Sequence, residues 1–149
     1  MASYQGVHRT PAGTNLTILA LESSATGVGR IHQMIVGSDS TPADIATRLD
    51  MLRHTTAGAA GTAVVEKPDD PQVGPVPPAC NLRGGTMTEP TYEADFLVEV
   101  ALNQRATFTW IANPGRELRT TVGTANGIGL RSISSGGTPN INVTMAWDE

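Results

Sequence analysis

The sequence predicts an all-β fold: an antiparallel β-sandwich or jelly roll with one short helix and an extended N-terminal arm. Three observations carry that expectation. Residues 107–112 place Phe108, Trp110 and Ala112 on one side and Thr107, Thr109 and Ile111 on the other, the period-two pattern of a strand with one face in a core. Residues 141–147 (INVTMAW) show the cleanest alternation in the chain, with Ile141, Val143, Met145 and Trp147 sharing a face. The 16 glycines and 10 prolines cut the chain into short pieces that suit strands and turns better than a helical bundle.

The elements follow in order. Residues 1–15 are polar and contain Gly6, Pro11 and Gly13, so they read as an extended arm in which Tyr4, Val7, His8 and Arg9 are free to make contacts. Residues 16–149 form a single domain. It opens with strands at 16–21 (LTILAL) and 30–36 (RIHQMIV). Thr41-Pro42-Ala43-Asp44 has a capping residue, a proline at the first helical position and an acid in the first turn, which predicts a short helix passing into a strand that ends near His54. Residues 62–66 (TAVVE) return as a strand after a turn-like stretch, as in a hairpin. Residues 67–85 hold five prolines and are expected to be a long irregular loop.

Residues 86–93 lead back into the fold, and 96–102 (FLVEVAL) form a strand. Asn103-Gln104-Arg105-Ala106 places polar groups at a chain corner, where Arg105 is expected to bond carbonyls or a neighbouring carboxylate through its forked guanidinium. Asn113-Pro114-Gly115 is a turn, 117–122 a strand, and Asn126-Gly127 a tight turn into 128–133. Phe108, Trp110 and Trp147 are the expected aromatic core. No internal repeat or heptad pattern is present.

Composition narrows the function classes. A net charge of −4 with 16% charged residues does not supply the basic patch that a nucleic-acid backbone requires. Cys80 is the only cysteine, which excludes an intramolecular disulfide and points to a chain made in a reducing cytoplasm. No apolar run reaches spanning length and the opening MASYQGVHRT lacks the core of a secretory leader, so no membrane partner is expected. His8, His32 and His54 have no metal-type spacing, and the serines lie outside any nucleophile-elbow pattern. Glu89, Glu93 and Glu99 read as strand and loop charges rather than a glycosidase pair. Gly127-Ile128-Gly129 reads as strand geometry, since no helix is expected after it. The expectation is a protein with no catalytic residues, no metal and no cofactor.

Several segments resemble one group of small virion proteins of tailed phages: 38–44 (SDSTPAD), 89–92 (EPTY) with 102–110 (LNQRATFTW), 113–118 (NPGREL) continuing through 126–130 (NGIGL), and the closing INVTMAWDE. The similarity spans most of the chain from about residue 38. Proteins of that group resemble capsid decoration, or cement, proteins. The resemblance implies a non-enzymatic protein on the outer surface of a phage head, synthesised in the bacterial host cytoplasm. Its expected partner is the major capsid protein, and its expected state a homotrimer. The arm, with Tyr4, Val7, His8 and Arg9, would be one clamping part. A phage tail or receptor- and carbohydrate-binding β-module is the alternative; it would need loop aromatics to stack on sugars, whereas Trp110 and Trp147 both read as core.

Overall fold

The computed structural model describes residues 2–39, 41–56, 58, 61–70, 78–85 and 87–149. Among them are twelve strands and no helix: β1 (Ser3–Pro11), β2 (Leu16–Glu22), β3 (Arg30–Asp39), β4 (Ala46–His54), β5 (Thr62–Ala63), β6 (Glu66–Pro68), β7 (Asn81–Gly84), β8 (Tyr92–Asn103), β9 (Phe108–Ile111), β10 (Leu118–Arg119), β11 (Gly127–Ser135) and β12 (Asn140–Asp148). Every pairing is antiparallel. The first sheet runs β10-β3-β12-β1-β6, with β9 also paired to β3; the second runs β5-β7-β2-β11-β4-β8. The two sheets enclose one core, as in a β-sandwich.

Alternation decides what enters that core. Ile141, Val143, Met145 and Trp147 of β12 are all fully or almost fully buried, as the sequence pattern predicts. They meet Leu19 and Leu21 of β2, Leu49 and Met51 of β4, and Ile128 and Leu130 of β11 from the second sheet. A register shift between Ala146 and Trp147 makes His32 the extra residue of β3, so Ile31 and Met34 both face inward despite their odd spacing. Burying a side chain of this size is worth about 1.5–3 kcal/mol, so this shared layer is the main source of stability.

Four expectations are corrected. Residues 3–11 are not a free arm: β1 pairs with β12 along its whole length and with β6 at Tyr4–Gly6. Its inward positions are Tyr4, Gly6, His8 and Thr10, too polar and too small to look like a core face in sequence. The match is made by the opposing sheet. The His8 ring lies so close to Gly84 that a Cβ there would sit 2.5 Å from it.

The short helix at 41–45 is absent. That segment is irregular, and β4 begins at Ala46. Pairing on both sides, to β11 and to β8, outweighs the weak local capping signal. The hairpin at 62–66 is also absent: β5 joins the second sheet through β7 while β6 joins the first through β1, so Val64 and Val65 cross between sheets. The proline-rich loop 67–85 is shorter than expected, because β6 and β7 take its two ends. Its residues 71–77 lie outside the described residues.

Candidate functional site

The outer faces of the two sheets differ in kind. On the second sheet, outward positions carry charge. Arg48 bridges Asp50 at 3.5 Å and Glu99 at 2.7 Å, and Arg83 pairs with Glu22 at 3.2 Å. Arg131 lies 5.0 Å from the centroid of the Tyr92 ring. The segment leading into β8 is strapped down here. The Glu89 carboxylate accepts from the Thr17 N–H at 2.9 and 3.1 Å and from the Thr17 hydroxyl, which is itself 2.6 Å from the Tyr92 hydroxyl. Gly129 makes room for this strap, since a Cβ there would sit 2.2 Å from the Tyr92 hydroxyl. Burial pushes the Tyr92 phenol well above its ordinary pKa. Burial also raises the pKa of Asp50, whose carboxylate has no polar partner among the described residues closer than the Arg48 Nε at 3.5 Å. Glu89 is thus an anchor whose oxygens are committed to Thr17.

On the first sheet the outward positions form rows that cross the strands. One row is Ile111, Gln33, Ala146, Gln5 and, at the margin, Lys67; the next is Thr109, Ile35, Thr144 and Val7. Neither row holds a carboxylate, and Lys67 is the only charge. Val7 is 61% exposed and Ile111 is 66% exposed, so apolar surface is presented at both ends of the rows. Val65, 74% exposed, extends it beyond β1.

Both ends of this uncharged band are polar. At one, Arg9 bonds Asp39 through two nitrogens at 2.7 and 2.9 Å, and Asn142 donates to the same carboxylate at 3.1 Å. The Arg9 hydrogen bond, followed by that of Asn142, holds Asp39 below the usual carboxylate range. At the other, Arg30 stands opposite Asp148, which accepts from the Ser3 hydroxyl and lies 3.6 Å from His32 Nδ1. Ser3, His32 and Asp148 are the ingredients of a hydrolytic triad, but Ser3 donates to the acid and not to the imidazole, so nothing here activates the hydroxyl. An uncharged centre with an ionic rim is the anatomy of a protein-binding surface.

The residues singled out in sequence separate by strand parity. Val7 and Arg9 point outward on this face, Val7 in a row and Arg9 in the rim. Tyr4 and His8 point inward: Tyr4 is 3% exposed and stacks on Trp147. Trp147 is fully buried, whereas Phe108 and Trp110 are half-buried against the core from β9, a strand that pairs only with β3. Arg105 is exposed; its backbone N–H donates to the Asn103 side chain and its Nε reaches the Pro42 carbonyl at 3.5 Å, the limit of a hydrogen bond.

The corner is organised instead by Gln104, which sequence reasoning passed over. Gln104 is 2% exposed. Its Oε1 accepts from the Ala43 N–H at 3.0 Å, its Nε2 donates to Thr47 Oγ1 at 3.2 Å, and its N–H donates to the Ile45 carbonyl at 3.1 Å. Cys80 is a free, buried thiol pushed up to about 12 by burial first and by Glu149 second. Among the described residues, no group of three His, Cys, Asp or Glu side chains is placed to hold a metal ion. Set against known proteins, the chain matches no family model, no curated protein and no solved structure.

Proposed function

We propose that this chain is a non-enzymatic virion structural protein, a decoration or cement protein that binds the outer surface of a tailed-phage head and stabilises contacts between major capsid subunits. The observation that carries the reading is the uncharged band on the first sheet, with Val7, Ile35 and Ile111 exposed or half-exposed inside an ionic rim. A surface of that kind favours a large, flat protein partner over a small substrate, which would need a concave site with convergent polar groups.

The connectivity supports the same reading. With β5, β6, β7 and β10 set aside, the sheets read β1-β12-β3-β9 and β2-β11-β4-β8. That order fits the two-sheet, double Greek-key pattern expected of a jelly roll, a scaffold frequent in viral shells. Each contact is expected to be modest, because association costs several kcal/mol in lost freedom. Many symmetry-related copies, and a homotrimer that engages several capsid subunits at once, offset that cost. The outer edge of β8, twelve residues long and paired only to β4 among the described residues, supports the trimer, since closed symmetry would cover it.

The test is binding of purified protein to heads stripped of decoration. Val7→Asp and Ile111→Asp should weaken binding by about tenfold or more each, while Arg83→Ala, on the outer face of the second sheet and away from β8, should leave it unchanged. Equal binding by all three variants would remove the first sheet from the interface. Sedimentation of the free protein reports whether it is a trimer.

A further inference from the structure

Among the described residues, strand β1 has an edge that is only half paired. Ala2 and Glu149 exchange both backbone hydrogen bonds, at 3.3 and 3.0 Å, and the Ala12 N–H donates to the Pro139 carbonyl at 2.8 Å. Bonded pairs recur at every second residue of an antiparallel ladder, so Tyr4, Gly6, His8 and Thr10 direct their N–H and C=O groups at β12. Ser3, Gln5, Val7 and Arg9 direct theirs the other way. There the Ser3 carbonyl accepts from the Asp69 N–H at 2.9 Å, and Gln5 stands opposite Lys67.

Beyond Gly6 the partner strand ends, because the chain leaves through Val65 and Val64 toward the second sheet. Val7 and Arg9 then have no strand on that side among the described residues. The edge borders a groove of about 540 Å³ lined by Val7, His8, Ala63, Val65 and Lys67 among others. Its described lining includes Lys67 and His8 and no carboxylate, and His8 Nε2 is buried there without a hydrogen-bond partner among the described residues.

We propose that this edge is a strand-addition site for an extended segment of another protein that carries an acidic side chain. Pairing to Val7 and Arg9 supplies main-chain hydrogen bonds, and the groove accepts alternate side chains, as in other β-augmentation sites. The acidic preference follows from the charge of the lining: Lys67 lines the groove and has no ion-pair partner among the described residues. The edge adjoins the capsid-binding face and shares Val7, Arg9 and Lys67 with it. Its test needs no phage heads, so it can fail while the face reading stands.

The experiment is amide hydrogen exchange by NMR on the full chain, with three synthetic peptides at millimolar concentration. The first is acetyl-Thr-Val-Glu-Val-Thr-Val-amide, the second has Lys in place of Glu, and the third is the first with alternate backbone nitrogens methylated. In the free protein Val7 and Arg9 should exchange fast and Gly6, His8 and Thr10 slowly. The Glu peptide should slow Val7 and Arg9 by about tenfold or more. The Lys peptide should do so several-fold less, and the methylated peptide not at all. Slow exchange at Val7 and Arg9 in the free protein, or no slowing by the Glu peptide, overturns the site; equal slowing by the Lys peptide overturns its acidic preference. Arg9→Pro removes the outward N–H together with the Asp39 ion pair and should lower the Glu peptide's affinity more than Arg9→Ala, which removes the ion pair alone; should the proline variant not fold, the exchange pattern of the parent decides.

Discussion

Tyr4 stacks on Trp147 with ring centroids 5.8 Å apart and planes 26° from parallel, and the two residues are direct partners in the β1–β12 ladder. The N-terminal strand therefore covers the largest side chain of the core. An aromatic pair of this geometry adds about 0.5–1.5 kcal/mol beyond the area it buries.

Tyr4→Ala should accordingly cost about 3–5 kcal/mol, and deletion of residues 1–10 should abolish cooperative unfolding. Urea titration followed by tryptophan fluorescence measures both. A deletion that kept the parent's midpoint would mean that β12 is stable as an edge strand and that β1 is dispensable.

Cys80 is fully buried and its thiol is pushed up to about 12, so the native thiolate is scarce at neutral pH. Its neighbourhood is closed by Glu149, which accepts from the Ala79 and Cys80 N–H groups at 2.7 and 2.8 Å. Thiol-disulfide reagent should react with the native protein slower than with the urea-unfolded chain by about a thousandfold or more. Glu149→Ala should speed the native reaction, because it releases the backbone that covers the sulfur.

His8 and His54 both titrate below their ordinary 6.5, chiefly because burial disfavours the imidazolium. In the window between the unfolded and the folded values, the unfolded chain binds protons that the folded chain does not. Their contribution is therefore full above about 6.5 and is lost as pH falls from there through the lower folded values. Urea midpoints measured from about pH 7.5 down to about pH 5 should fall, and a His8→Asn, His54→Gln double variant should flatten that limb. A limb unchanged in the double variant would assign the acid sensitivity to carboxylates.

Strands β9 and β12 were legible because their pattern depends only on the pleat: Phe108 and Trp110, and Ile141 through Trp147, alternate whatever stands opposite. Strand β1 was hidden because its inward face is Tyr4, Gly6, His8 and Thr10, and the fit of a glycine to a neighbouring side chain is a property of two sheets. Residues 41–45 carried a sound helix-start signal that lost to pairing of the adjoining strand on both edges. The candidate face was half legible. Val7 and Arg9 stood out as contact residues, but Ile35, Thr109, Ile111 and Thr144 are drawn from strands far apart in sequence, and only the registers place them in rows. Gln104 was missed because a corner offers no period, and Arg105 beside it has the more conspicuous chemistry.

That corner supports the last prediction. Four backbone or side-chain groups of Gln104 are bonded: its own N–H to Ile45, its carbonyl to the Ser38 hydroxyl, and its amide to Ala43 and Thr47. These bonds tie the β8–β9 connection to β3, to β4 and to the segment between them, so one residue holds both sheets at this end. Removing a buried amide takes the Oε1 acceptor from the Ala43 N–H and the Nε2 donor from the Thr47 hydroxyl, at about 1–3 kcal/mol. Gln104→Ala should therefore lower the unfolding midpoint clearly, and Gln104→Glu should do so too, because a carboxylate cannot donate to Thr47 and is buried as a charge. Arg105→Lys and Arg105→Ala should stay within about 0.5 kcal/mol of the parent, since the exposed guanidinium makes one long contact to Pro42. Chemical denaturation of the four variants ranks them. If the arginine variants lose more than the glutamine variants, the corner is held by charge and the amide network is incidental.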